Sequence, residues 1–146
     1  MRIHSLLVAV ILLSPVAAAA QKPASSIAGT WEGQSICTVR DSPCHDEHII
    51  YEISRVTASQ NNPDRPEPTL EWKIDAYKIV NGEKDFMGTL PCSFDEEKQT
   101  LGCVTKTRME GYWEYVFDSD TIRGTLHVGP EKTLYRNISA KRVPKT

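Results

Sequence analysis

From about residue 29 onward the apolar side chains recur at every second position. Ile49, Tyr51 and Ile53 alternate with polar neighbours, and so do Leu70, Trp72, Ile74 and Ala76. The same holds for Phe86, Gly88, Leu90, Cys92 and Phe94, for Trp113, Tyr115 and Phe117, for Ile122, Gly124, Leu126 and Val128, and for Leu134, Ile138 and Ala140. A period of two marks a strand with one buried face, and no stretch carries the 3.6-residue period of an amphipathic helix. Bounded by turn residues, the runs predict eight strands at about 29–38, 48–57, 69–79, 84–94, 99–107, 111–118, 121–128 and 132–143. Most connections are of hairpin length, such as Asn81-Gly82, Asp118-Ser119-Asp120 and Gly129-Pro130-Glu131. The exception is the polar stretch 58–68, with Asn61-Asn62-Pro63 and Pro66-Glu67-Pro68, which reads as one long loop.

Sequential strands with short connections predict an all-β fold, an eight-stranded antiparallel up-and-down barrel, because closing the sheet removes both edges. A two-sheet sandwich is the rival. It needs several connections that cross its ends, and only 58–68 is long enough. In the barrel, 58–68, 95–98, 118–120 and both termini gather at one end, and 39–47, 80–83, 108–110 and 129–131 at the other. Strand parity turns Tyr51, Ile53, Leu70, Trp72, Ile74, Phe86, Leu90, Phe94, Trp113, Tyr115, Phe117, Leu126, Leu134 and Ile138 inward. Arg136 shares that parity.

The residues before the first strand have a different character. Met1-Arg2-Ile3-His4 is a short basic start, 6–13 is an unbroken apolar run, and the small residues 15–20 offer Ala18-x-Ala20 for cleavage. This predicts a secretory signal peptide at 1–20, an N-terminal arm at 21–28 and a single barrel domain at 29–143. The apolar run is far shorter than the roughly 20 residues of a transmembrane helix. Export changes the meaning of the four cysteines, which in an oxidising compartment predict two disulfides. Each of the pairs Cys37–Cys44 and Cys92–Cys103 brackets one turn signal, so that connectivity is expected. In the second, a four-residue turn sets Phe94 opposite Leu101 and Cys92 opposite Cys103. The spacing does not suit a structural zinc site.

With 17 Lys and Arg against 19 Asp and Glu, the formal charge is -2, which gives no electrostatic footprint for nucleic acid or an anionic membrane. No membrane insertion is expected, and a monomer is. Enzyme signatures are missing too: no Gly-x-Ser-x-Gly, phosphate loop or dinucleotide glycine run occurs, and neither catalysis nor a cofactor is expected.

Gly29-Thr30-Trp31 opens the first strand and Lys141-Arg142 closes the last. In these features, in length and in strand number the chain resembles the calycin group of lipocalins, fatty-acid-binding proteins and avidins. The resemblance implies that Gly29 and Trp31 plug the closed end of a lipocalin-like barrel with Arg142 over the indole. Strand geometry implies the same contact, since the end of the eighth strand lies beside the start of the first. Fatty-acid-binding proteins hold a carboxylate with a lumenal Arg, and Arg136 is the residue here that would do so.

An inward Arg136 needs an anion, supplied by a ligand or by a protein acid such as Glu114, unless a bulge turns it outward. The ring-lined lumen suggests a small apolar or aromatic ligand contacting Arg136, Tyr51, Trp72, Phe86, Trp113 and Tyr115. The His45-Asp46-Glu47-His48 run has ligating side chains without a metal-specific spacing and reads as a solvated loop. A haem-binding barrel would need an inward His in a late strand, whereas His127 alternates out of phase. Asn137-Ile138-Ser139 is a glycosylation sequon, relevant in a eukaryotic secretory pathway. Two function classes result: an exported carrier or scavenger of a small apolar ligand, neutral or anionic, and a secreted protein-binding barrel of the protease-inhibitor kind with a filled core.

Overall fold

The structure is a computed structural model that describes residues 27–56, 72–106 and 110–145. The expected leader at 1–20, the expected arm up to residue 26, the 58–68 connection and Leu70 lie outside the described residues. Eight strands follow in order: β1 (Gly29–Cys37), β2 (Glu47–Arg55), β3 (Trp72–Val80), β4 (Glu83–Asp95), β5 (Thr100–Lys106), β6 (Glu110–Asp118), β7 (Thr121–Val128) and β8 (Thr133–Arg142). Each pairs antiparallel with the next, and β8 returns to β1, so the sheet is a closed up-and-down barrel. Among the described residues there is no helix.

The tight connections follow from residues that accept the left-handed region. Asn81 and Gly82 both have positive φ, 52° and 84°, the combination that matches the twist of a two-residue hairpin. Both disulfides form with the expected partners, Cys37–Cys44 and Cys92–Cys103. The β4–β5 register places Cys92 opposite Cys103 and Phe94 opposite Leu101, as the turn length requires.

One half of the lumen is filled by rings. Trp31 meets Phe117 at 5.4 Å between centroids, Phe117 meets Phe94 at 6.2 Å, and Phe94 meets Trp72 at 6.2 Å. Trp31, Trp72, Ile74, Leu101, Ile122 and the Cys92–Cys103 bridge complete this core, all at most 2% exposed. The plug has the expected partners. The Arg142 guanidinium lies 4.1 Å from the Trp31 ring centroid, and its Nη1 donates to the Ala28 carbonyl at 2.9 Å. A side chain at residue 29 would stand in the way, since a Cβ there would lie 3.0 Å from that Nη1; Gly29 also has φ +136°.

Two bulges correct the parity count. In β3–β4, Ala76 pairs with Gly88 and Tyr77 with Phe86, which leaves Met87 unmatched. Gly88, at φ +147°, takes the conformation that this extra residue demands. Parity reverses there, so Phe86 lies on the outer wall beside Tyr77 at 57% exposure and not in the lumen. In β7–β8, Leu126 pairs with Arg136 and His127 with Leu134, leaving Tyr135 unmatched. Leu134 therefore also faces out, at 38% exposure, while Arg136 keeps the inward parity of Ile138 and Ala140.

The barrel wall is uneven. β4 and β5 pair only over Cys92–Asp95 and Thr100–Cys103, so among the described residues 83–91 pairs with β3 alone. Val80, Phe86 and Met87 are exposed on this hairpin.

Candidate functional site at the open end of the lumen

Above the ring-filled half the lumen turns polar, and Arg136 is its centre. Across β1 it faces Cys37, and on the other side Leu126. Its side chain is 12% exposed and its Nη1 lies 3.2 Å from the Glu47 carboxylate, itself 25% exposed. The same Nη1 donates to the Ser35 hydroxyl at 3.1 Å and to the His45 carbonyl at 3.0 Å, with the Ser35 carbonyl at 3.5 Å. All hydrogen bonds from the guanidinium to described residues leave from Nη1. The Nε–Nη2 edge, one of the two able to grip a carboxylate with two parallel bonds, is not used by them.

Glu47 is thus the acid that answers Arg136. Glu114, the acid considered from sequence, lies on an exposed outward position of β6. Glu47 reaches the lumen because it shares the inward parity of Ile49 and Tyr51 and pairs with Ser35 across β1. That parity, carried two residues back from Ile49, was the available signal.

Tyr51 and Tyr115 lie next to this pair, their rings edge to face at 5.6 Å. Burial pushes the Tyr51 hydroxyl up to about 12, partly offset by the neighbouring Tyr115 and by the positive charge of Arg136. Burial also holds Tyr115 well above the ordinary phenol range, with the Tyr51 hydroxyl adding to the effect. The two hydroxyls face each other, and that contact contributes to both shifts, although the Tyr115 hydroxyl lies outside strict hydrogen-bond geometry. The Trp113 indole stacks on Tyr115 at 6.3 Å with an interplanar angle of 7°, and its buried N–H has no partner among the described residues. A buried donor without an acceptor is unusual in a folded protein.

Of the residues singled out from sequence, Arg136, Tyr51, Tyr115 and Trp113 therefore come together. Trp72 does not join them. It belongs to the ring chain of the closed half, with the Arg55 guanidinium 5.1 Å from its centroid. Phe86 lies outside the barrel, as described above.

The His45-Asp46-Glu47-His48 run is divided among separate tasks. The His45 carbonyl and Glu47 hold Arg136, and the Asp46 Oδ1 accepts the Cys37 N–H at 2.8 Å. His48 pairs with Glu32 on the outer wall at 2.7 Å. Among the described residues no group of three or more His, Cys, Asp or Glu is placed to hold a metal ion. His127 lines an outer-wall concavity with Tyr112, Glu114 and Lys132. No helix among the described residues is long and apolar enough to cross a membrane.

No protein-family model matches the chain, and comparison with curated proteins finds no significant match.

Proposed function

We propose that the protein is an exported, lipocalin-like barrel that binds a small, largely apolar molecule at the open end of the lumen. A head group with acceptor oxygens would meet Arg136 there. The observation that carries this reading is the guanidinium itself. Among the described residues it is held through Nη1, and none of them hydrogen-bonds to its Nε–Nη2 edge, which would be the edge to meet a head group. The Trp113 N–H, unpartnered among the described residues, supplies a further donor on the same inward layer, since Trp113 pairs with Leu126 and Leu126 with Arg136. Glu47 offsets the charge of Arg136, so a head group adds hydrogen bonds to an already neutralised pair and does not have to neutralise a bare cation. The resemblance to fatty-acid-binding proteins points the same way, and two disulfides fit an oxidising compartment.

Titration with a naphthalene sulfonate dye, followed by displacement with decanoate, tests this reading. Saturable one-to-one binding that decanoate reverses is expected. A folded protein that neither dye nor decanoate occupies would contradict it.

A second reading, a protein-binding barrel of the protease-inhibitor kind, is favoured by one observation. Val80, Phe86 and Met87 stand exposed on the β3–β4 hairpin where β4 has no β5 partner. Under that reading Phe86→Ser leaves dye binding intact and abolishes inhibition of a susceptible protease. A protease panel with no inhibited member removes this alternative.

A further inference from the structure

The two disulfides occupy unlike places. Cys92–Cys103 is a cross-strand bridge inside the ring-filled core, with its cysteines 0% and 2% exposed. Cys37–Cys44 closes a loop with a sequence separation of only 7, at the barrel mouth, and both of its cysteines are partly exposed. A thiolate must reach a sulfur along the S–S axis to open a disulfide, so access separates the two bonds.

The exposed bridge ties together the two sides of the Arg136 cradle. Ser35, on one side, precedes Cys37; His45 and Glu47, on the other, follow Cys44. The β1–β2 ladder ends at Ser35 and Glu47. Beyond it, the loop's arms are joined by the disulfide and by the bond from the Cys37 N–H to Asp46. The β1 arm has a second anchor on β8, where Thr38 donates from its N–H to the Tyr135 carbonyl at 3.1 Å and from its hydroxyl to the Leu134 carbonyl at 2.8 Å. Loss of the bridge therefore leaves Ser35 in place and loosens the segment that carries the His45 carbonyl, which is then tied to the β1 arm by the Asp46 bond without the covalent link.

We propose that Cys37–Cys44 is a reducible clasp on the Arg136 cradle, opened by a dithiol while Cys92–Cys103 stays closed, and that its opening weakens head-group binding at the barrel mouth. The last clause rests on the lumenal reading above; the selective opening does not. In the reaction one thiolate of the dithiol attacks a sulfur of the bridge and releases the other cysteine as thiolate. The dithiol's second thiolate then attacks the reductant sulfur of the mixed disulfide, breaking its bond to the remaining cysteine and releasing that cysteine as thiolate. Cys37 and Cys44 end as thiols, having gained two electrons and two protons, and the reductant ends as its cyclic disulfide.

The intact protein is treated with graded dithiothreitol, trapped with iodoacetamide and mapped by peptide mass, with hydrogen exchange of residues 38–46 and dye affinity followed in parallel. Alkylation confined to Cys37 and Cys44 is expected first, with faster exchange in 38–46 and dye affinity lowered about threefold to tenfold, the size of one lost hydrogen bond. A Cys37→Ser/Cys44→Ser variant should reproduce the weaker binding without reductant. Labelling of Cys92 or Cys103 before or together with the other pair overturns the clasp, as does unchanged exchange in 38–46. Selective opening with no dye binding in either state leaves the clasp standing and removes the lumenal reading. Dye that binds equally before and after opening overturns the clasp's hold on Arg136 while leaving the lumenal reading intact.

Discussion

The two ends of the barrel each hold an arginine on β8, and they use it differently. At the closed end Arg142 lies over Trp31 and spends its donors on the Ala28 carbonyl and on Asp120 at 3.1 Å. The surroundings are interlocked rings, and the Trp31 indole N–H is itself satisfied by the Ile27 carbonyl at 3.0 Å. At the open end Arg136 is paired with Glu47 through one nitrogen, and the buried Trp113 N–H has no acceptor among the described residues. The polar groups of the closed end are satisfied, whereas some at the open end are not, and it is there that the proposed binding site lies. The same residue type thus closes one end and, under the proposed function, equips the other.

The largest expected effect is at the closed end. Trp31→Ala removes a fully buried indole from the ring chain and should cost about 3–5 kcal/mol in chemical denaturation. A loss below about 1 kcal/mol would show that the plug is not structural.

At the open end, alkaline pH should act through Tyr51. Its folded pKa is raised from 10.0 to about 12, so the fold favours the neutral phenol. That contribution is fully present below the unfolded pKa, near pH 10, and is lost as pH rises through about 12. The loss is about 2–3 kcal/mol. Ultraviolet titration should show Tyr51 and Tyr115 ionising only together with unfolding. Their ionisation in the intact fold at ordinary phenol pH would mean that water reaches this layer.

Arg136→Leu strands the Glu47 carboxylate at a partly buried position and should cost about 2–3 kcal/mol, at or below the low end for a broken buried pair because Glu47 keeps some contact with water. The smallest effect belongs to Arg142→Ala, at about 1 kcal/mol, with a double-mutant cycle against Trp31→Ala showing coupling. Strict additivity would mean that the cation and the ring do not act together.

Much of this architecture is legible in the chain. Period two gives the strands, Asn81-Gly82 gives a turn, and the turn length between Cys92 and Cys103 gives a register and a disulfide. What parity misses is set by pairing partners. The bulges at Met87 and Tyr135 turn Phe86 and Leu134 outward, and neither has a local signal stronger than Gly88 two residues beyond Phe86. The partner of Arg136 was obscured for a related reason. Glu47 reaches it only through closure of β8 on β1 and the pairing of β1 with β2, two contacts that no local window contains. The separation of Trp72 from the open-end residues likewise depends on where rings stack, which alternation along one strand does not encode.

Arg136 is held by Glu47, and under the proposed function its remaining donors meet a head group. The most direct test is the paired variant Arg136→Leu/Glu47→Leu, measured for stability and for dye and decanoate affinity. Removing both charges together strands neither, so stability should return to within about 1 kcal/mol of the parent or exceed it. Dye and decanoate affinity should remain lost by about tenfold or more, the worth of hydrogen bonds to a charged group. A doubly substituted protein that is stable and still binds both probes at parental affinity would contradict the account.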